Sequence, residues 1–366
     1  MELPSKCMDR TGIYYWKCDR AAAFHGTGDY LRDQHELMSM LAAALRRRFG
    51  ADLADLALGC GQGNHRTFTA RLNGEKVFIR TEDGEEGDNY FAVEKEVADR
   101  VAALGVPVPR TLAYDVSRDE VPFAWQIIPF IDAKDLNSHF KLGTLDWTDI
   151  APAIGRAVAT WQGVTAPGFG PFSAARAVAG ELCALQPTLT DYYRLNLDRH
   201  LDFLVRGGFI DATYADRVRA VVAANVSLLD VPGVLVHKDL ALWNVLGTER
   251  KVVSFIDWDD AIIGDAMDDL SLMGCFHGSE ILRGIMSGYE SVRLLPENAA
   301  PRFWLGLLRN MLFKAVIRVG AGYFKRDGRF FRVPGGGESL EEITRRKIET
   351  ALKGLEKGWT IDELGE

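Results

Sequence analysis

The chain has 366 residues, enough to bury a substantial core in one large or two smaller folding units. Its formal charge of −8 argues against a nonspecific nucleic-acid binder, which must neutralise phosphates with lysine and arginine. The five scattered cysteines form no C-x-x-C pair and predict neither a disulfide framework nor a zinc site, and no run of about 18 apolar residues and no charged-then-apolar leader appears, so a cytoplasmic protein with no membrane partner is expected.

Residues 1–50 read as a partly helical extension, with Leu37, Met38, Leu41 and Leu45 at helical spacing before the solvated triplet Arg46-Arg47-Arg48. Residues 51–131 predict a small sheet with one helix. Between Leu58 and Phe68, Gly59, Gly61 and Gly63 stand at alternate positions, which makes a hairpin turn or lets backbone amides, with Asn64, close over phosphates. No G-x-x-x-x-G-K-[ST] stretch is present, and the following segment is strand-like, so neither a P-loop nor a dinucleotide fold fits. Strand alternation over Lys76–Arg80 puts Lys76, Phe78 and Arg80 on one face, where a basic residue can meet phosphates. A helix starting near Asn89 offers that residue a carboxylate. At about 100° per residue, Val93, Val97, Val101 and Leu104 form its apolar face, and Glu94 lies nearer to that face than Glu96, which makes Glu94 the better partner. The apolar strand Phe123–Ile128 leads into Pro129-Phe130-Ile131, the expected lobe connection.

Residues 132–366 are mostly helical in pattern, over 148–163, 190–206, 211–229, 278–290, 302–320 and 339–357. Strands are expected only around 234–256, and Ala166–Pro171 reads as a loop. The fold class is therefore α+β, a small β-sheet lobe followed by a larger helix-rich lobe.

The densest chemistry lies in His237-Lys238-Asp239-Leu240-Ala241-Leu242-Trp243-Asn244 and Ile256-Asp257-Trp258-Asp259-Asp260. Each cluster follows a short apolar run, Val234–Val236 or Val252–Ile256, that reads as a buried strand. Phosphoryl transfer needs cations to neutralise phosphates and a carboxylate to take the acceptor's proton. Asn244 and Asp257 supply oxygens of the kind Mg²⁺ takes, and Asp239, five residues before Asn244, can stand over an acceptor hydroxyl.

These segments, with the Gly264-Asp265-x-x-x-Asp269-Leu270 tail, resemble the Brenner and metal-binding motifs of the aminoglycoside phosphotransferase family, which includes choline kinase-like small-molecule kinases. The resemblance implies a protein-kinase-like fold, ATP and Mg²⁺ as cofactors, Asp239 as base, and Asn244 and Asp257 as metal ligands. It also implies that Asp265 and Asp269 hold the loop and cap the next helix, that Arg80 rather than Lys76 grips phosphate, and that the backbone at Ile128 and Phe130 holds adenine. Two departures stand out. Relatives often carry Gly before the catalytic Asp and His two residues after it, where this chain has Lys238 and Ala241. A protonated Lys238 would offset charge on the transferred phosphoryl group, or simply point to solvent.

The acceptor expected is a hydroxylated small molecule of aminoglycoside, sugar or amino-alcohol type, with antibiotic inactivation one member of that class. Lys314, Arg318, Lys325, Arg326, Arg329 and Arg332 against Asp327 alone make the stretch 314–332 basic, which disfavours a polycation if it lines the pocket. Aromatic Tyr323, Phe324, Phe330 and Phe331 in that stretch fit ring stacking or core packing. A protein kinase is disfavoured, because Gly264-Asp265 follows Asp257 too soon for an activation segment. A noncatalytic nucleotide-binding scaffold is the remaining rival, and the oligomeric state is left open.

Overall fold

The structure, a computed structural model, describes residues 10–20, 32–59, 65–84, 87–325 and 337–365. After a 3-10 turn at Arg10–Gly12 comes a short helix, α1 (Trp16–Asp19), and then α2 (Gln34–Phe49). The Asp33 carboxylate caps α2 by accepting the His35 and Glu36 N–H groups at 2.8 and 2.9 Å, and Arg46, Arg47 and Arg48 sit in its last turn, where cations complement the helix dipole. Strands β1 (Leu53–Leu58), β2 (Arg66–Leu72), β3 (Glu75–Glu82), β4 (Ala113–Asp115) and β5 (Ala124–Pro129) form an antiparallel sheet in the order β1-β2-β3-β5-β4. Alternation along β3 buries Val77 and Ile79 with Phe68, Phe123 and Ile127 on one face, and α2 covers that face with Leu37, Leu41, Ala44 and Leu45. Helix α3 (Tyr90–Ala103) lies beyond the other face, and its Val93, Val97 and Val101 join the larger hydrophobic cluster.

The larger lobe begins with β6 (Lys134–Asp135), α4 (Leu136–Lys141) and α5 (Trp147–Trp161), then β7 (Phe169–Phe172), α6 (Ala174–Val178) and β8 (Ala184–Gln186). Helices α7 (Leu189–Arg194), α8 (Leu197–Arg206) and α9 (Ala212–Asn225) follow, and Asn196, at φ +57°, breaks the single helix expected over 190–206. Strands β9 (Val234–Val236), β10 (Val245–Gly247), β11 (Val252–Phe255) and β12 (Ile262–Gly264) carry the polar loops. Helices α10 (Asp268–Gly274), α11 (Ser279–Glu290), α12 (Ala299–Gly320) and α13 (Leu340–Lys357) close the chain. Helices α5 and α11 cross closely, since a Cβ at Gly155 would stand 1.8 Å from the Ile285 carbonyl oxygen and one at Gly288 would stand 2.1 Å from that of Pro152.

Two expectations change. The described parts of residues 1–50 do not pack as one extension: α2 packs on the small sheet, whereas Tyr14, Tyr15 and Cys18 pack into the large cluster. The helical lobe also holds strands outside 234–256, because β7 and β12 are too short and too interrupted by Gly and Pro for periodicity to reveal them. β12 pairs with both β7 and β9, and it anchors the far end of the Asp257 loop.

Candidate active site

β9 ends at Val236, and the following loop is pinned from beneath by Asp269, the second residue of α10. One Asp269 oxygen accepts the His237 N–H at 2.9 Å and the Trp161 indole N–H at 3.1 Å, and the other accepts the Lys238 N–H at 3.1 Å. Burial pushes the Asp269 carboxyl up to about 6, against the stabilising effects of His237 and these backbone donors. Asp265 accepts the Met267 N–H at 2.7 Å ahead of α10 and pairs with Arg302 at 2.9 Å. The tail therefore divides its work: Asp269 holds the loop, and Asp265 turns the chain into the helix.

Asp239 is buried, and its Oδ2 receives both the Asn244 amide at 3.2 Å and the Lys17 ammonium at 3.3 Å. The Asn244 amide also donates to the Asp239 carbonyl at 2.9 Å, and no donor among the described residues engages the Asn244 side-chain oxygen. Asp239 Oδ1 is likewise without a donor among those residues. Burial alone would raise this carboxyl, but the charges of Lys17, Lys314 and His237 outweigh it and hold Asp239 below its ordinary value.

Asp257 follows β11 at φ +69°, in the left-handed region that a non-glycine residue seldom occupies. Its Oδ1 accepts from Arg80 at 3.0 Å, while Oδ2 meets no donor among the described residues. Burial and the neighbouring Asp259 push its carboxyl up, against Arg80 and Lys17. The Ile256 N–H donates to the Asn244 carbonyl at 3.0 Å, which ties the two polar loops together.

Arg80 reaches this loop from β3. Its guanidinium also donates to Glu94 on α3 and, at 2.5 Å, to Gln126 on β5. Glu96 instead turns to Lys95 at 2.7 Å and Arg100 at 2.7 Å, away from Arg80. The Phe130 N–H is spent on the Lys76 carbonyl at 3.1 Å, the Phe130 carbonyl meets no backbone donor among the described residues, and Ile128 sits in β5 opposite Phe78. Gly61, Gly63 and Asn64 lie outside the described residues, as do Arg326, Asp327, Arg329, Phe330, Phe331 and Arg332.

The sequence model of the phosphotransferase enzyme family matches residues 58–302, well over half of the chain. The chain belongs to this family. Among solved structures, aminoglycoside phosphotransferase APH(4)-Ia aligns at a TM-score of 0.57 and 19% identity, covering 85% of this chain and 98% of its own. A thermostable mutant of that enzyme has been crystallised with AMP-PNP and hygromycin B. Macrolide 2'-phosphotransferase MphH from Brachybacterium faecium aligns at 0.54 and 18% identity, covering 81% of this chain and 99% of its own. These likenesses establish a shared kinase-like fold. Among curated protein sequences nothing matches.

Neither reading of Lys238 survives the geometry of this phosphotransferase. The side chain is 1% exposed, and its ammonium donates to Asp268 at 2.8 Å, Asn310 at 3.0 Å and the Tyr14 hydroxyl at 3.1 Å. An ammonium has three N–H donors, so none remains for a phosphoryl oxygen and none meets water. The φ of Lys238 is +67°, a conformation that suits the glycine relatives often carry there.

Sequence reasoning missed Lys17 and Arg10 altogether. Arg10 is buried, pairs with Asp88 at 2.6 Å and Asp260 at 3.5 Å, and donates to the Asp259 carbonyl at 3.0 Å, joining the start of α3 to the Asp257 loop. Asp259 in turn faces His65 at 3.6 Å. Only their position in a mixed stretch of cations and aromatics hinted at burial. Cys18, Asp19 and His200 also come within 4.8 Å of one another. Arg309, which can only donate, takes His200 Nδ1 at 3.0 Å, so Nε2 carries the proton it gives to Asp19 and this is a hydrogen-bonded set rather than a ligand set. Among the described residues no helix is long and apolar enough to cross a membrane.

Proposed function

We propose that this phosphotransferase moves the γ-phosphoryl group of ATP to a hydroxyl of a small molecule, with Asp239 as the base. The observation that carries the reading is the asymmetry of the Asp239 carboxylate: Oδ2 is committed to Asn244 and Lys17, while Oδ1 is left for an acceptor hydroxyl. The reaction balances simply. The acceptor oxygen bonds to Pγ, the bond between Pγ and the bridging oxygen of ADP breaks, and the acceptor proton passes to Asp239 Oδ1.

The uncommitted oxygens of Asn244 and Asp257 suit a hard divalent cation, and Mg²⁺ held there would neutralise the phosphate oxygens. Arg80, fixed by Glu94 and Gln126, keeps Asp257 oriented and lends positive charge to the phosphate side. The carbonyl of Phe130 is suited to an adenine amino group.

The test is acceptor-dependent ADP release with Mg-ATP across a panel of hydroxylated compounds, comparing wild type with Asp239→Asn. Loss of the base is expected to slow transfer by about 10² to 10⁴-fold. Nucleotide binding without transfer, and without any effect of the substitution, would favour the noncatalytic scaffold.

A further inference from the structure

On α12, Lys314 is only 8% exposed, and its ammonium meets no carboxylate, carbonyl or hydroxyl among the described residues. Two ring faces flank it, Phe276 at 4.6 Å and Phe313 at 5.1 Å, and these are backed by Trp243 against Phe276 and Tyr15 against Phe313. Cation–π contact offsets part of the cost of desolvating the ammonium, and its three donors, which keep some contact with solvent, meet no protein acceptor among the described residues. Burial draws the Lys314 pKa down to about 8. Cys275 and Asp239 oppose that shift, while Arg318 and Lys17 add to it.

The acids of the same region are already answered. Asp257 has Arg80, Asp259 has His65, Asp260 has Arg10, Asp265 has Arg302 and Asp268 has Lys238, while Asp269 takes two backbone N–H groups. Among the described residues each of these six carboxylates already has a cationic or backbone partner, so none is left wholly unpaired for a polycationic acceptor. Asp239 instead feels two lysines, Lys17 on its Oδ2 and Lys314 from the helical lobe.

We infer that the phosphoryl acceptor is an anionic alcohol, a hydroxylated compound bearing a carboxylate or phosphate group, whose negative end is received by Lys314 with Lys17 beside it while its hydroxyl meets Asp239. The inference rests on the phosphotransferase reading and names the acceptor class for that site. Aromatic walls lower the local dielectric, so an anion docked against Lys314 is held more strongly than it would be in water, and the orphaned ammonium gains the partner it lacks.

The experiment uses the full chain with Mg-ATP and matched probes: glycerol, glycerate and glycerol 3-phosphate; glucose, gluconate and glucose 6-phosphate; and kanamycin as a polycation. Acceptor-dependent ADP release is measured alongside calorimetric binding in the presence of Mg²⁺ and a nonhydrolysable ATP analogue. Anionic members are expected to exceed their neutral twins in kcat/KM or affinity by on the order of tenfold or more. The carboxylate and phosphate arms separate the two sources of charge. Lys314→Met should erase most of that preference and Lys314→Arg should retain part of it, with melting curves checking that each variant is folded. Lys17→Met, at a half-buried position, should weaken the same preference without touching the core. Preference for neutral probes or kanamycin, no binding of any anion, or equal discrimination by wild type and a folded Lys314→Met overturns the inference while the phosphotransferase reading stands. Failure to bind Mg-ATP or to hydrolyse it overturns both.

Discussion

Replacing Lys238 with methionine keeps most of the side-chain volume and removes one buried charge. Asp268 would then keep only the Asn310 amide, at 2.8 Å, and the Tyr14 hydroxyl and Asn310 carbonyl would each lose a charged donor. Breaking a buried pair by removing one partner costs about 3–5 kcal/mol, because the remaining charge is left uncompensated. Methionine does not relieve the backbone at φ +67°, so nothing offsets that loss. Glycine would recover about 1 kcal/mol of backbone cost, but it would leave both a void and the unpaired Asp268. Urea unfolding followed by tryptophan fluorescence should show Lys238→Met destabilised by that amount. Lys238→Met combined with Asp268→Asn should be less destabilised than Lys238→Met alone, since the second change removes the stranded charge. The folded variant should keep turnover at saturating ATP within about threefold of wild type. A variant within about 1 kcal/mol of wild-type stability but with transfer abolished would refute the reasoning and return the ammonium to the phosphoryl group.

Lys314→Met should stabilise the protein in the absence of acceptor by on the order of 2–3 kcal/mol at neutral pH, because it removes a buried charge whose pKa falls from 10.5 to about 8. The folded pKa lies below the unfolded one, so the wild-type penalty is complete below about pH 8 and is released as pH rises toward 10.5; the advantage of the variant, followed by chemical denaturation, should shrink over that window. Arg10→Ala strands Asp88 and Asp260 and should cost about 3–5 kcal/mol in the same assay, whereas a loss below 1 kcal/mol would mean that the Arg10 clamp contributes little.

The Asp239, Asn244 and Asp257 cluster was legible because its spacing is local: two short strands end in two loops, and Asn244 follows Asp239 by five positions. Glu94 could be preferred over Glu96 from helical angle alone, and the structure turns Glu94 toward Arg80 and Glu96 toward Lys95 and Arg100. The six long helical patterns also appear, one of them broken at Asn196. What stayed hidden depends on distant partners. The Lys238 cage draws on Tyr14, Asp268 and Asn310, and Lys17 meets Asp239 across 222 positions, so no window along the chain holds either arrangement. Strands of three or four residues, such as β7 and β12, carry too few alternations to register as periodic.

The contact between Lys17 and Asp239 bears on how the enzyme matures. Ribosomal synthesis delivers the lysine early, yet its counter-ion emerges only after most of the chain has been made, and Lys314 emerges later still. A nick that sheds the segment around Lys17 would carry away Arg10 and the packed Tyr14 and Tyr15 together with the cation beside Asp239, so amino-terminal proteolysis should lower the melting temperature and the catalytic output in step.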